Sequence, residues 1–245
     1  LLNYVEVEGG GSLQSDSLAL VAIYNSLGGP NWTDQGNWLT GTLDTWMGVV
    51  LTDGRVTELA LGNNNIAGTI PTEIGQLNEL TLLQINGDET TRTNIDVTGT
   101  IPVELWNCTK MNRLQIKFTN ITGGIPEGIE NMTALGEVNF QSTKLGGEIP
   151  EELFNLPNLQ KAYLHESDFS GAIPASLANA TKLTRLYLQD NKLSGTLPMV
   201  QLENPGSAKV NLTGNFFAFD QVKPYHDASA NFAGFTDDYQ YAKET

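Results

Sequence analysis

LTRLYLQDNKLSGTLP, from Leu183 to Pro198, decides how this chain folds. Its fourth and sixth residues, Leu186 and Leu188, are apolar and two apart, so in an extended segment both side chains leave the same face. The third, fifth and seventh, Arg185, Tyr187 and Gln189, point to the other side. The Gly-Thr-Leu-Pro end cannot prolong a hydrogen-bonded strand, because proline lacks the ladder donor, and it turns the chain away. The unit is one short strand and a return.

The pattern L-x-x-L-x-L-x-x-N-x-L-x-G-x-I-P recurs, with tolerated swaps, as VTELALGNNNIAGTIP from Val56, MNRLQIKFTNITGGIP from Met111, LGEVNFQSTKLGGEIP from Leu135 and LQKAYLHESDFSGAIP from Leu159. Uninterrupted neighbours are 24 residues apart. A further copy, from Leu80 to Pro102, carries seven extra residues around GDETTRTNID, and a degenerate one, SAKVNLTGNFF, starts at Ser207. None of these units can bury its apolar face alone, and stacking them buries a continuous core. The expected architecture is an α/β repeat solenoid, a right-handed arc with about seven parallel strands spaced about 4.8 Å apart on its concave side.

Both ends of such a stack need covers. Leu20, Ile23, Tyr24 and Leu27 fall at i, i+3, i+4 and i+7, with Ser15 and Asp16 as capping candidates and Gly28-Gly29 after them, which predicts a short amphipathic helix. Asp53-Gly54 between two β-rich runs predicts a hairpin feeding the first repeat strand. Trp32, Trp38 and Trp46 suggest sugar stacking in isolation, but at a capping junction they are expected in the core. The aromatics from Phe216 to Tyr241 predict an irregular C-terminal cap. The organisation is therefore a tail over 1–14, an N-terminal cap over 15–55, repeats over 56–217 and a C-terminal cap and tail over 218–245.

Composition narrows function. Twenty-eight acidic against thirteen basic side chains give a formal charge of −15, which repels nucleic acid and anionic membrane surfaces. No stretch approaches the roughly 20 apolar residues of a membrane span. The opening LLNYVEVEGGGSLQ lacks the regions of a signal peptide, so a mature or trimmed form is expected. The single Cys108 allows no internal disulfide, no Cys/His cluster has metal-ligand spacing, and no cofactor or metal is expected.

The repeats resemble the plant-type leucine-rich repeats of receptor kinase ectodomains and polygalacturonase inhibitors, over roughly residues 15 to 217. The resemblance implies a leucine-rich-repeat horseshoe whose concave face binds a ligand. DSLALVAIYNSLGGPNW and NWLTGTLDTWMGVVLTDGRVTELAL look like the cap of secreted or surface repeat proteins of gut Bacteroidetes. Plant versions carry a cysteine pair near this point, and Trp46-Met47-Gly48-Val49 has none. That departure points to a bacterial, extracytoplasmic protein at the cell surface, in the periplasm or secreted, a lipoprotein with its anchor removed being one form.

With the register fixed, the outward positions stack into columns. The third position reads Glu58, Leu82, Arg113, Glu137, Lys161, Arg185 and Lys209. Thirteen basic residues among 245 put fewer than one in any seven positions, and this column holds four. It reads either as a strip for an acidic protein or peptide or an anionic sugar, or as cross-strand pairs around Glu137 that keep the sheet soluble. The fifth column includes Gln115, Asn139, Tyr163 and Tyr187, and the seventh includes Lys117, Gln141, His165 and Gln189. Amides and phenols suit peptide backbone or carbohydrate hydroxyls, and they equally suit a row of mutually satisfied side chains. The ligand-binding candidates are Arg113, Gln115, Lys117, Asn139, Lys161, Tyr163, His165, Arg185, Tyr187 and Lys209.

Catalysis is not expected. His165 beside Glu166 and near Asp168 has no accompanying nucleophile and sits on an open sheet, so a surface histidine is the expectation. The insertion from Asn86 to Asp96 is either a partner contact or an idle bulge. The expected function is a non-enzymatic binding module for a protein or peptide; a glycan-binding surface protein and a structural spacer or adhesin segment are the alternatives. The oligomeric state stays open.

Overall fold

The computed structural model describes residues 11–88, 90–92, 95–198 and 209–217. In chain order the elements are α1 (Leu13–Ser26), β1 (Val49–Thr52), β2 (Arg55–Ala60), β3 (Gly68–Thr69), β4 (Leu82–Asn86), β5 (Val97–Thr98), β6 (Arg113–Lys117), β7 (Glu137–Asn139), α2 (Glu151–Phe154), β8 (Lys161–Tyr163), β9 (Ser170–Gly171), β10 (Arg185–Tyr187), β11 (Lys192–Leu193) and β12 (Lys209–Asn211). The main sheet runs β1-β2-β4-β6-β7-β8-β10-β12. β1 joins antiparallel through the expected hairpin, with Asp53 at φ 51° and Gly54 at φ 75°. The seven strands from β2 onward are the seven repeat strands, paired in parallel.

Equal spacing sets the register. Arg113 stands opposite Glu137, Glu137 opposite Lys161, Lys161 opposite Arg185 and Arg185 opposite Lys209. The longer second repeat does not disturb it, since Leu82 still faces Arg113, and the extra residues are looped out after β4. A one-residue slip would have turned every apolar side chain to the wrong face. Between the strands and the short helical turns opposite them lies one continuous core. It includes the fourth-position row from Leu59 to Val210 and the sixth-position row from Leu61 to Leu212.

The ninth residue of the repeat stitches adjacent turns. Asn191, 5% exposed, accepts from Ser167 N (3.1 Å) and Phe169 N (3.0 Å) and donates to Leu164 O and Leu188 O (both 2.9 Å). Asn215 does the same one turn later, accepting from Leu193 N and donating to Leu188 O and Leu212 O. At Ser167 a hydroxyl takes the amide's place and reaches Phe140 O and His165 O. Only a short side chain with both donor and acceptor serves carbonyls and amides at once.

The N-terminal cap follows the apolar pattern but not the expected start. Leu20, Ile23, Tyr24 and Leu27 are buried against the first repeat. The N-cap is Ser12 rather than Ser15: its hydroxyl accepts from Ser15 N, and the Ser15 hydroxyl accepts from Ser12 N in return. The helix thus starts before its hydrophobic stripe does, which is why periodicity alone misses its first turn. Asp16 is no cap either. It is fully buried, with Arg55 Nε at 2.9 Å, Arg55 Nη2 at 2.8 Å and Val56 N at 2.9 Å. The three tryptophans are core: Trp38 packs with Trp32, Trp46 and Tyr24 at ring separations of 5.0, 4.9 and 5.7 Å, and each indole N–H reaches a backbone carbonyl. At the other end Phe216 is exposed and Phe217 packs partly on the core. The remaining aromatics of the expected C-terminal cap lie outside the described residues.

Candidate functional site

The concave face carries a row of side chains on each strand, and the structure distributes the candidates unequally. In the third column Glu137 sits among cations, with Lys161 Nζ at 3.1 Å and Arg113 Nε at 3.8 Å, and it accepts from Gln115 Nε2 at 2.7 Å. The cross-strand pairing is therefore real for Arg113 and Lys161. Arg185 donates to Thr184 O, and Lys209, at the far end, is exposed. Positive charge is concentrated toward β10 and β12.

In the fifth column Gln115, Tyr163 and Tyr187 are half-buried, while Asn139 is buried and turns its Oδ1 to the backbone N–H of Gln141. Tyr163 and Tyr187 meet edge to face at 5.3 Å, and burial pushes the Tyr163 phenol up, so it acts as a neutral donor and acceptor. Together these rings form a broad amphipathic surface in the middle of the face.

The seventh column departs from expectation. Lys117 and His165 are 8% and 7% exposed and Asn86 is fully buried, so His165 is not a surface histidine. The residues that follow this column, Phe118, Ser142, Glu166 and Asp190, all adopt left-handed backbone, with φ between 52° and 56°. The chain turns at each of them, yet Gln141 and Gln189 before two of these turns are only half-buried, so the turn alone does not set the burial of Lys117 and His165. Burial pushes the His165 imidazole down to about 4, against which Glu166 pulls upward while Arg92 and Lys117 add to the depression. A histidine neutral when folded but ordinary when unfolded is protonated first in the unfolded chain between pH 6.5 and about 4. Stability is therefore expected to fall as pH is lowered through that window, and His165→Gln is expected to flatten this dependence. Denaturation midpoints at stepped pH check it; equal slopes in both proteins would show that His165 does not titrate this way.

The insertion runs along the rim where these strands end. Ile95 N donates to Phe118 O, and Arg92 crosses the Phe118 ring to reach Glu166. Ser142 Oγ donates to the same carboxylate. Nothing in the sequence ties Arg92 to a residue 74 positions away. Glu166 is thus engaged, and Asp168 pairs with Lys192 at 2.6 Å, so the three residues that invite an acid/base reading are dispersed. Cys108 is buried and its thiol is pushed up to about 12 by burial. Among the described residues no group of three or more His, Cys, Asp or Glu is placed to hold a metal ion, and no helix is long and apolar enough to cross a membrane.

The Leucine Rich Repeat family pattern matches residues 55–77 and 182–200. A comparison with curated protein sequences found no match. Among solved structures, PEPR1–AtPEP1 is similar with a TM-score of 0.68 and 27% identity, over 84% of this chain and 31% of that one. The leucine-rich-repeat ectodomain of the plant membrane receptor kinase GASSHO1/SCHENGEN3 from Arabidopsis thaliana, in complex with CASPARIAN STRIP INTEGRITY FACTOR 2, gives 0.63 and 24%, over 82% and 27%. Pollen Receptor Kinase 3 gives 0.68 and 22%, over 81% and 94%. The chain spans less than a third of the length of the first two. Its fold is the leucine-rich-repeat fold, with a large parallel sheet like that of these ectodomains.

Proposed function

We propose that this leucine-rich-repeat solenoid is a non-enzymatic binding module that takes a protein or peptide partner on its concave face. The observation that carries the reading is the half-buried Tyr163–Tyr187 pair flanked by Lys161, Arg185 and Lys209 on adjacent parallel strands. Flat amphipathic rings next to cations on a rigid sheet suit a partner with an apolar surface and acidic groups. The likeness to PEPR1–AtPEP1 supports a partner on the same fold. The contacts would come from Arg113, Gln115, Lys117, Asn139, Lys161, Tyr163, His165, Arg185, Tyr187 and Lys209, the buried members shaping the floor.

The likeness to receptor ectodomains also supports an extracytoplasmic location. The cysteine-free cap around Trp46-Met47-Gly48-Val49 favours a bacterial surface or periplasmic protein, with a lipid anchor as one means of attachment.

The test is to screen the purified chain against a surface-protein extract and a glycan array at low and high salt. A salt-sensitive protein hit is expected, and reversing Lys161, Arg185 and Lys209 to glutamate should weaken it by about a hundredfold, since like charges brought together cost several kcal/mol. A salt-insensitive glycan hit lost in Tyr163→Ala and Tyr187→Ala would replace this reading with the glycan one, which the same ring pair favours. A protein hit unaffected by either set of changes would remove the concave face as the site.

A further inference from the structure

The insertion shows what chemistry the rim of the concave face receives. Arg92 leaves the second repeat and lands on Glu166 of the fifth, its Nη2 standing 2.5 and 2.6 Å from the two carboxylate oxygens. Its guanidinium carbon lies 5.9 Å from the centre of the Phe118 ring. The pair is 56% and 32% exposed, so water screens it and it adds little to the stability of the fold. Holding a long side chain at the end of an inserted loop also costs conformational entropy. Stability does not account for the arrangement, in which one guanidinium nitrogen spans both oxygens of a carboxylate that Ser142 Oγ also holds in place.

The neighbouring groups are of the same kind. Asp190, one repeat further on, presents an exposed carboxylate from the same left-handed turn. Gln189 Oε1 and the Nδ1 of the neutral His165 are buried and have no hydrogen-bond partner among the described residues. The Tyr187 ring meets the imidazole edge to face at 5.9 Å, and the Phe118 ring supplies the face that the guanidinium crosses. Burial works to raise the Glu166 carboxyl, yet the hydrogen bonds from Ser142 and Arg92 and the Arg92 charge hold it below the usual carboxylate range, so it is ionised. Carboxylates, an amide oxygen and an aromatic face lie on neighbouring strand ends, and beyond the Ser142 hydroxyl the hydrogen-bond donation that Glu166 receives comes from Arg92. A guanidinium brings five donors in one plane and stacks on rings, which an ammonium does less well.

We propose that the turns following β8 and β10 form an arginine-accepting subsite of the concave face, and that Arg92 occupies the place an arginine side chain of the partner takes. This rests on the concave-face reading and orients the partner. Its acidic groups lie toward Arg185 and Lys209, and an arginine lies at the Glu166–Asp190 rim about five residues further along the strands. The net charge of −15 agrees with a partner that brings positive charge to this end.

The experiment is an NMR titration of the full chain with N-acetyl-arginine methylamide and with its uncharged citrulline isostere, following the backbone amides of residues 165–167 and 189–191. In Arg92→Ala the arginine probe is expected to shift these resonances and to saturate at severalfold lower concentration than in the unaltered chain. The citrulline probe should leave them in place, and Glu166→Gln should abolish the response in both backgrounds. Equal shifts with citrulline, an arginine response that survives Glu166→Gln, or no tighter binding in Arg92→Ala would each overturn the subsite. Partner capture separates the two ideas: loss on reversing Lys161, Arg185 and Lys209 but not in Glu166→Gln keeps the concave-face reading and rejects the subsite.

Discussion

Asp16→Ala is expected to destabilise the chain by about 3–5 kcal/mol, the effect of removing one partner from a buried ion pair. The carboxylate is fully buried and carries three short hydrogen bonds, two from the Arg55 guanidinium and one from Val56 N. Alanine leaves the Arg55 side chain, 18% exposed, with Asn78 Oδ1 at 2.8 Å as its hydrogen-bond partner among the described residues, and leaves the Val56 N–H without its Asp16 acceptor. The damage concentrates at the joint between α1 and β2, so the cap is expected to detach before the repeats unfold. Guanidinium chloride unfolding followed by tryptophan fluorescence in a Trp106→Phe background measures it, because the other three of the four tryptophans, Trp32, Trp38 and Trp46, lie in the cap. Pairing Asp16→Leu with Arg55→Met should recover much of the loss, since an apolar pair removes both desolvated charges together. A single variant within 1 kcal/mol of the unaltered chain would mean that water reaches this joint.

Asn191→Ala is expected to cost about 3 kcal/mol, the second largest loss. It removes one side chain that serves two backbone amides and two carbonyls, and each buried group left unpaired costs about 1–3 kcal/mol before relaxation. Ser167→Ala should cost about 1 kcal/mol, because its hydroxyl shares one donor between Phe140 O and His165 O and accepts from Thr143 N only at 3.5 Å. Hydrogen exchange is the better measurement, since a solenoid need not unfold in one step. Protection should fall first at Ser167 and Phe169, whose N–H groups donate to Asn191, and remain near β2. Uniform loss along the chain would show that the repeats unfold as one unit.

Much of the concave face was legible in advance. Alternation within each strand named the outward residues, and the 24-residue period named their neighbours, so Arg113, Glu137, Lys161, Arg185 and Lys209 stand in one row. The pairing around Glu137 followed from the same row once the strands were known to be parallel. The helix start at Ser12 was hidden because the first turn, Leu13 to Asp16, precedes the apolar stripe and Leu13 itself is exposed, although the Ser12 and Ser15 pair spells a capping box.

The repeating strand, the face each side chain takes and the parallel order of the seven repeats follow from residue order alone, because alternation and equal spacing are local properties that stacking can satisfy in one register. Which outward residues stay open depends on how the stacked turns meet. Lys117 and His165 are buried while Gln141 and Gln189, in the same column and followed by the same left-handed turn, are half-buried, and Asn86 is buried where the insertion begins. The landing of Arg92 on Glu166 belongs to the same class: an aperiodic loop has no register, and its partner is set by which repeat the folded arc brings within its reach.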